Sequence, residues 1–216
     1  MSKKLHYGTV SPLLRSSLET LMESELFKDF RLVGGTALSL QRGHRMSVDI
    51  DLFTGSDYGS VDSDAIDNFL RSVFPYVNTS DYQEVGLGRA YVVGESEDNS
   101  IKLDLFYTEP FILPSVEEDG IRMADAGDII AMKLQVISGG GRKKDFWDIH
   151  ELMENYSLAT MLDLHHRRYE YTHDRDQVKE KLVDFSSAED DFDPICLRNK
   201  HWELIKLDLV DFVNEA

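Results

Sequence analysis

The sequence predicts an α/β chain of the α+β kind: a small mixed β-sheet core flanked by helices over residues 1–122, then a helical region over residues 123–216. Three observations carry this. Apolar residues alternate with polar ones over residues 48–53 and again over 100–107, the period of a half-buried strand. Apolar residues recur at helical spacing over residues 11–28, with Leu13, Leu14, Leu18, Leu21 and Met22 on one stripe. From Asp125 the pattern is helical almost to the end.

Taken in order, the helix over 11–28 gives way to a short apolar stretch at 30–33 that runs into Gly34 and Gly35, a small strand ending in a tight turn. Those glycines open a helix over 36–41, which leaves through Arg42, Gly43 and His44. In the strand over 48–53, Val48, Ile50 and Leu52 fall on one face and Asp49, Asp51 and Phe53 on the other. A helix follows over 62–74, with Ile66, Phe69, Leu70 and Val73 as its buried stripe. Strands are expected at 82–85, 89–93 and 100–107; in the last, Lys102, Asp104 and Phe106 share the less apolar face. Asp125 is a good N-cap with Asp128 in the first turn, and Gly139, Gly140 and Gly141 stop that helix after Ser138. Further helices are expected at 143–155, from Ser157 onward, at 177–185 and at 197–213. The acidic run Glu189, Asp190, Asp191 and Asp193 reads as a solvated loop.

Composition narrows the function classes. With 216 residues and 42% hydrophobic content the chain can bury a core without staples. Cys196 is the single cysteine, which excludes an internal disulfide framework and a cysteine zinc site and fits a reducing compartment. No stretch approaches the ~20 apolar residues that span a bilayer, and the start has no apolar run of signal-peptide length, so a cytoplasmic protein without membrane contact is expected. Lys plus Arg number 23 against 40 Asp plus Glu, a net charge of −17, which counts against a broad nucleic-acid surface. Two local basic groups remain, Arg142-Lys143-Lys144 and His165-His166-Arg167-Arg168, each also readable as a solvated helix end. The adjacent His165 and His166 point apart on a helix and do not make a zinc site.

The chemistry centres on Ser47-Val48-Asp49-Ile50-Asp51. Carboxylates at i and i+2 of a strand project the same way from α-carbons about 6.5 to 7 Å apart, so they can converge on one hard cation or bridge two. An acidic solvent face on an edge strand would look the same. What distinguishes this pair is that it follows Gly34-Gly35 by one short helix: glycines let backbone approach phosphate, and a helix N-terminus offers free N–H donors. Thr36 either adds a hydroxyl there or simply caps the helix.

The runs 34–40 (GGTALSL) and 43–53 (GHRMSVDIDLF) closely resemble the first active-site motif of the AbiEii/AbiGii-type nucleotidyltransferases, a branch of the DNA polymerase beta-like superfamily. The segments 128–134 (DIIAMKL) and 144–149 (KDFWDI) resemble later motifs of the same family, and the matches lie in order from about residue 32 to 152. The resemblance implies a nucleotidyltransferase core using Mg2+ or Mn2+ and a nucleoside triphosphate. It implies metal ligands at Asp49 and Asp51, with Asp104 as the third acid by position and face. It also implies catalytic roles for Lys133 and Asp148, and nucleotide contacts from Gly34, Gly35, Thr36, Arg45, Ser47, Lys133 and Lys144.

Alternatives accompany several of these. Lys133 lies on an apolar helix, either on its exposed stripe or reaching a polar site; Arg45 either binds phosphate or caps the preceding turn. Asp145 and Asp148 share a helical face and can orient Lys133 or assist an acceptor hydroxyl. Trp147, Trp202, Tyr169 and Tyr171 could stack a base, a role that core aromatics seldom have. The acceptor implied by the resemblance is RNA, such as a tRNA 3′ end, or a protein side chain, and the chain would be a toxin with a cognate antitoxin. A small cationic acceptor of the aminoglycoside type, or a non-catalytic partner protein of the same fold, are the other two readings.

Overall fold

The computed structural model describes residues 4–79 and 87–215. Eight α-helices and seven strands are found among them. In chain order they are α1 (Pro12–Glu23), β1 (Arg31–Leu32), α2 (Gly34–Arg42), β2 (Asp49–Thr54), α3 (Ser63–Val73), β3 (Tyr76–Asn78), β4 (Gly88–Gly94) and β5 (Ser100–Tyr107). They continue with β6 (Val116–Glu118), β7 (Ile121–Met123), α4 (Ala126–Ser138), α5 (Lys143–Leu152), α6 (Leu158–Arg168), α7 (Arg175–Leu182) and α8 (Trp202–Asn214). The mixed α/β class predicted from periodicity is the one found. The strand expected at 82–85 lies outside the described residues.

Local chemistry sets the helix ends. Ser11 accepts from Leu14 N at 3.0 Å and Pro12 sits in the first turn, so α1 begins where expected. It stops at Glu23 rather than Lys28 because Ser24 is extended and starts a separate 3-10 turn, Glu25–Phe27. Asp62, Asp125 and Ser157 each cap the next helix through a side-chain oxygen. The last helix starts at Trp202, not near Leu197: Leu197 donates to His44 O at 2.9 Å and Cys196 bridges Arg45, so this stretch is held extended against the exit of α2.

The sheet order is β3-β4-β5-β2-β1-β7-β6. Its centre is the parallel pair β2 and β5, in register Asp49↔Lys102, Asp51↔Asp104 and Phe53↔Phe106. β1 runs antiparallel to β2, and α2 is the connection that reverses the chain between them. Periodicity did not reveal β3, β6 or β7, each only three residues long. The β6–β7 hairpin had a legible signal in Asp119-Gly120, both at positive φ (50° and 78°), the dipeptide that suits a two-residue hairpin turn.

Buried apolar side chains form one cluster that runs from Leu5 and Leu14 through Leu32, Ile50 and Leu103 to Ile130, Phe146, Ile205 and Leu209. The sheet and the later helices therefore share a core, and residue 122, where the sequence suggests a division, lies inside β7. Asp128, expected at the start of α4 for its helix dipole, does more. Fully buried, it receives Arg168 Nη1 at 2.8 Å and the N–H groups of Ile112 and Leu113 at 3.0 and 3.1 Å. Arg168 is thus an internal tie and not part of a basic surface. The acidic run is likewise not a free loop: Asp191 accepts from Lys143 N at 2.9 Å and Asp193 from Lys143 Nζ at 3.0 Å, while Glu189 pairs with Lys206 at 3.1 Å.

Candidate active site

The site is built on the polar face of β2 and β5. Alternation buries Ile50 and Leu52 beneath, and turns Asp49 and Asp51 to the other face. Register then sets Asp104 directly beside Asp51, and Lys102 directly beside Asp49. Three carboxylates and one ammonium thus occupy adjacent positions on two strands.

The carboxylates repel. Burial raises the pKa of Asp51 from 3.8 to about 6, helped by the charges of Asp104 and then Asp49, against partial relief from Lys133 and Lys144. Two lysines answer the other acids: Lys102 Nζ lies 2.6 Å from Asp104 Oδ2, and Lys144 Nζ lies 3.7 Å from Asp49 Oδ2. The Oδ1 of Asp104 is buried with no hydrogen-bond partner.

One wall is the start of α2. Val33 supplies no side-chain cap, so the first N–H groups of the helix have no intrahelical acceptor. Gly34 has φ +65°, and a Cβ there would sit 3.0 Å from Asp51 Oδ2, so glycine keeps the turn and the carboxylate in contact. Gly35 answers a different neighbour, because a Cβ would collide with Nη2 of Arg45.

Packed against α2 are α4 and α5, held together by buried charge. Asp148, fully buried, accepts from Arg45 Nε and Nη2 at 2.7 and 2.8 Å, pairs with Lys133 Nζ at 2.8 Å and bonds His44 Nε2 at 2.8 Å. Lys133 also meets Asp145 Oδ1 at 2.6 Å, and Asp145 Oδ2 accepts from Arg142 N at 3.0 Å. Burial acts to raise the pKa of Asp148, but Lys133 and Arg45 overcome it and hold the carboxyl well below the usual range. Burial likewise acts to lower Lys133, and Asp148 with Asp145 outweighs it. Lys144, partly buried and next to Arg142, has its pKa lowered.

Across the chain, a sequence profile of the nucleotidyl transferase AbiEii toxin of type IV toxin–antitoxin systems matches residues 16–215. The chain belongs to the AbiEii nucleotidyltransferase toxin family. An uncharacterized protein of Aquifex aeolicus (strain VF5) is 32% identical over 151 residues, and the match spans 66% of each chain. Two Helicobacter pylori crystal structures, one of them JHP933, align over 94% of this chain at 22% identity, with TM-scores of 0.60 and 0.59, covering 90% and 88% of those chains. MenT4, a nucleotidyltransferase toxin of Mycobacterium tuberculosis H37Rv, aligns over 94% of this chain and 84% of its own at 16% identity and TM-score 0.58. At these identities the structures speak for a shared fold.

The AbiEii chain thus gathers Gly34, Gly35, Asp49, Asp51, Asp104 and Lys144 around one polar face. Other residues expected to meet nucleotide are turned into the protein. Thr36 Oγ1 donates to Asp49 O at 2.5 Å and bonds Ser47 Oγ at 2.8 Å, so both hydroxyls brace the strand entry. Arg45 and Lys133, 3% and 6% exposed, are engaged by Asp148 and Asp145 as a buried lattice behind the acids. Trp147 and Trp202 are core aromatics; Tyr171 is exposed on the loop after α6. Two participants escaped the sequence reading: His44, whose buried bond to Asp148 has no local signature, and Lys102. The alternation over 100–107 did put Lys102 on the same face as Asp104, but only strand pairing brings it to Asp49.

The donor set of Asp49, Asp51 and Asp104 is all hard oxygen, and the orphaned Oδ1 of Asp104 points to a cation as its natural partner. As the side chains stand, no group of three or more His, Cys, Asp or Glu among the described residues is spaced to hold an ion. Lys102 occupies Oδ2 of Asp104 and Lys144 stands near Oδ2 of Asp49, so both compete with an ion for these carboxylates while Oδ1 of Asp104 stays open. The acids fit the group in chemistry.

Proposed function

We propose that this AbiEii toxin moves a nucleoside monophosphate from a nucleoside triphosphate to a hydroxyl of cytoplasmic RNA, a tRNA 3′ end for preference, using Mg2+ or Mn2+ held by Asp49, Asp51 and Asp104. The observation that carries the reading is the register pairing of Asp51 with Asp104 beside the glycine turn at Gly34. When bound, a divalent cation supplies charge neutralisation for the polyphosphate and acidifies an attacking hydroxyl. The chain's own groups do the rest. The N–H groups opening α2 receive phosphate oxygens. Lys144, half-buried beside Asp49, reaches phosphate from α5. Asp148 holds Lys133 together with Arg45, so Lys133 keeps a positive charge near Asp51 that is in place before substrate arrives. A cognate antitoxin is the protein partner that the family description supports.

The test is transfer of label from each of four α-labelled triphosphates to total cellular RNA, with and without Mg2+, for the wild type and Asp51→Asn. Metal-dependent labelling that Asp51→Asn loses supports the reading. If RNA is captured through the local basic groups at Arg142 and Lys144, against a net charge of −17, labelling of RNA should also fall steeply between low and moderate salt. The same charge favours a cationic small-molecule acceptor, so labelling of an aminoglycoside panel with none of RNA would replace the acceptor while keeping the chemistry.

A further inference from the structure

Lys102 has no place in the reading above, yet it holds the most contested position on the polar face. It stands opposite Asp49 in the β2–β5 register and two residues before Asp104, so strand geometry points its side chain the same way as all three acids. Its ammonium sits 2.6 Å from Asp104 Oδ2. The lysine side chain is 53% exposed while that of Asp104 is 16% exposed, so the acid is fixed and the lysine has room to swing. The other oxygen of Asp104 has no partner at all. Lys144, the other lysine at the acids, is longer-ranged at 3.7 Å and a third exposed. Lys133, the third nearby ammonium, is locked between Asp145 and Asp148.

We propose that Lys102 is an exchangeable counter-ion, which neutralises Asp104 ahead of substrate and moves onto the polyphosphate once a metal–nucleotide takes up the carboxylates. This rests on the metal-site reading given above. Charge favours such an exchange. Lys102 on Oδ2 leaves only Oδ1 of Asp104 open and competes with any cation for this carboxylate, and an ammonium beside an incoming polyphosphate finds there the oxygens it gives up. A four-carbon stem rooted on the strand beside both Asp49 and Asp104 can reach either side of the acids.

The consequence is a pair of effects with opposite signs. Lys102→Met should bind Mn2+ alone several-fold more tightly than the wild type, because the competitor for Asp104 is gone. The same variant should bind non-hydrolysable α,β-methylene triphosphates in the presence of Mn2+ about ten- to a hundredfold more weakly, because a charge-assisted phosphate contact is lost. Mn2+ binding is read by electron paramagnetic resonance and the analogues of ATP, GTP, CTP and UTP by calorimetry, with no turnover required. Lys28→Met, exposed and before β1 at the end of that strand away from Gly34, controls for net charge, and Lys102→Gln for the apolar replacement. Opposite shifts in Lys102→Met and Lys102→Gln, absent from Lys28→Met, support the exchange. Tighter Mn2+ with unchanged or tighter analogue binding overturns it, since Lys102 would then merely repel cations. Unchanged Mn2+ affinity overturns it from the other side. If the wild type binds no Mn2+, or Asp51→Asn binds it equally well, the metal-site reading itself has failed, and that outcome is distinct from both.

Discussion

Replacing Asp51 by Asn should stabilise the metal-free protein. Asp51 is partly buried beside Asp104 and Asp49, and its pKa stands at about 6 against 3.8 for an unperturbed carboxyl. A folded-state pKa above the unfolded one means that the folded protein binds this proton more tightly. The ionised form therefore opposes folding above pH 6, and the penalty fades as pH falls from about 6 towards 3.8. The span between the two values corresponds to about 3 kcal/mol at neutral pH, and partial exposure of the site lowers a realistic figure to about 2 kcal/mol. For a chain of this length 1 kcal/mol moves the midpoint by roughly 2 to 4 °C, so Asp51→Asn should melt roughly 4 to 8 °C above the wild type at pH 7.5 in EDTA. The advantage should shrink below pH 6 and be nearly gone by pH 4. Scanning calorimetry or fluorescence melting of both proteins across that range decides it. An advantage equally large at pH 7.5 and pH 4.5, or a variant that melts lower at neutral pH, would refute the claim that crowded carboxylates strain the site. Added Mg2+ should reverse the order by stabilising the wild type much more than the variant, by mass action on the folded state alone.

Asp148→Ala removes the carboxylate shared by Arg45, Lys133 and His44 and leaves buried cations without their counter-charge. A loss of about 3 to 5 kcal/mol in urea denaturation is expected, and a loss below about 1 kcal/mol would show that the lattice is not what joins α4 and α5 to the strand entry. Gly35→Ala drives a methyl group into the Arg45 guanidinium and should cost about 1 to 3 kcal/mol; in a double-mutant cycle Arg45→Ala should relieve part of it, and strictly additive losses would deny the contact. His165, its pKa lowered to about 4 by burial and then by His173 and His166, is neutral in the folded protein. Its folded pKa lies below the unfolded 6.5, so its contribution is intact above pH 6.5 and lost as pH falls towards 4, on the order of 2 kcal/mol. His165→Gln should flatten the fall in melting temperature between pH 6.5 and 4.5, and an identical slope would count against it.

Part of this site was legible in one dimension because its chemistry is written in local spacing. An i, i+2 pair on a strand must share a face, and Asp104 must share a face with Lys102, whatever surrounds them; the glycine pair marked the helix start, though α2 begins at Gly34 itself and not at Thr36. The same holds for the caps Ser11, Asp62, Asp125 and Ser157, whose hydrogen bonds close within three residues. The short strands β3, β6 and β7 escaped because three residues hold too little periodicity to be distinguished from loop, and they exist through their neighbours in the sheet.

Partner choice is what only the tertiary structure decided. Arg45, Thr36 and Lys133 carry the same donors whether they face a phosphate or a carboxylate, and nothing in their local sequence says which. The fold sets Asp148, more than a hundred residues away, against Arg45 and His44, and Thr36 against the strand entry at Ser47 and Asp49. The same argument separates the two basic runs, in which Arg168 became the buried partner of Asp128 while Lys144 stayed at the acids. Sequence spacing dictates which side chains point together along one element, since backbone geometry is local. Which charge meets which across elements depends on strand register and helix packing, and a buried charge must be answered by whatever partner that packing brings within reach.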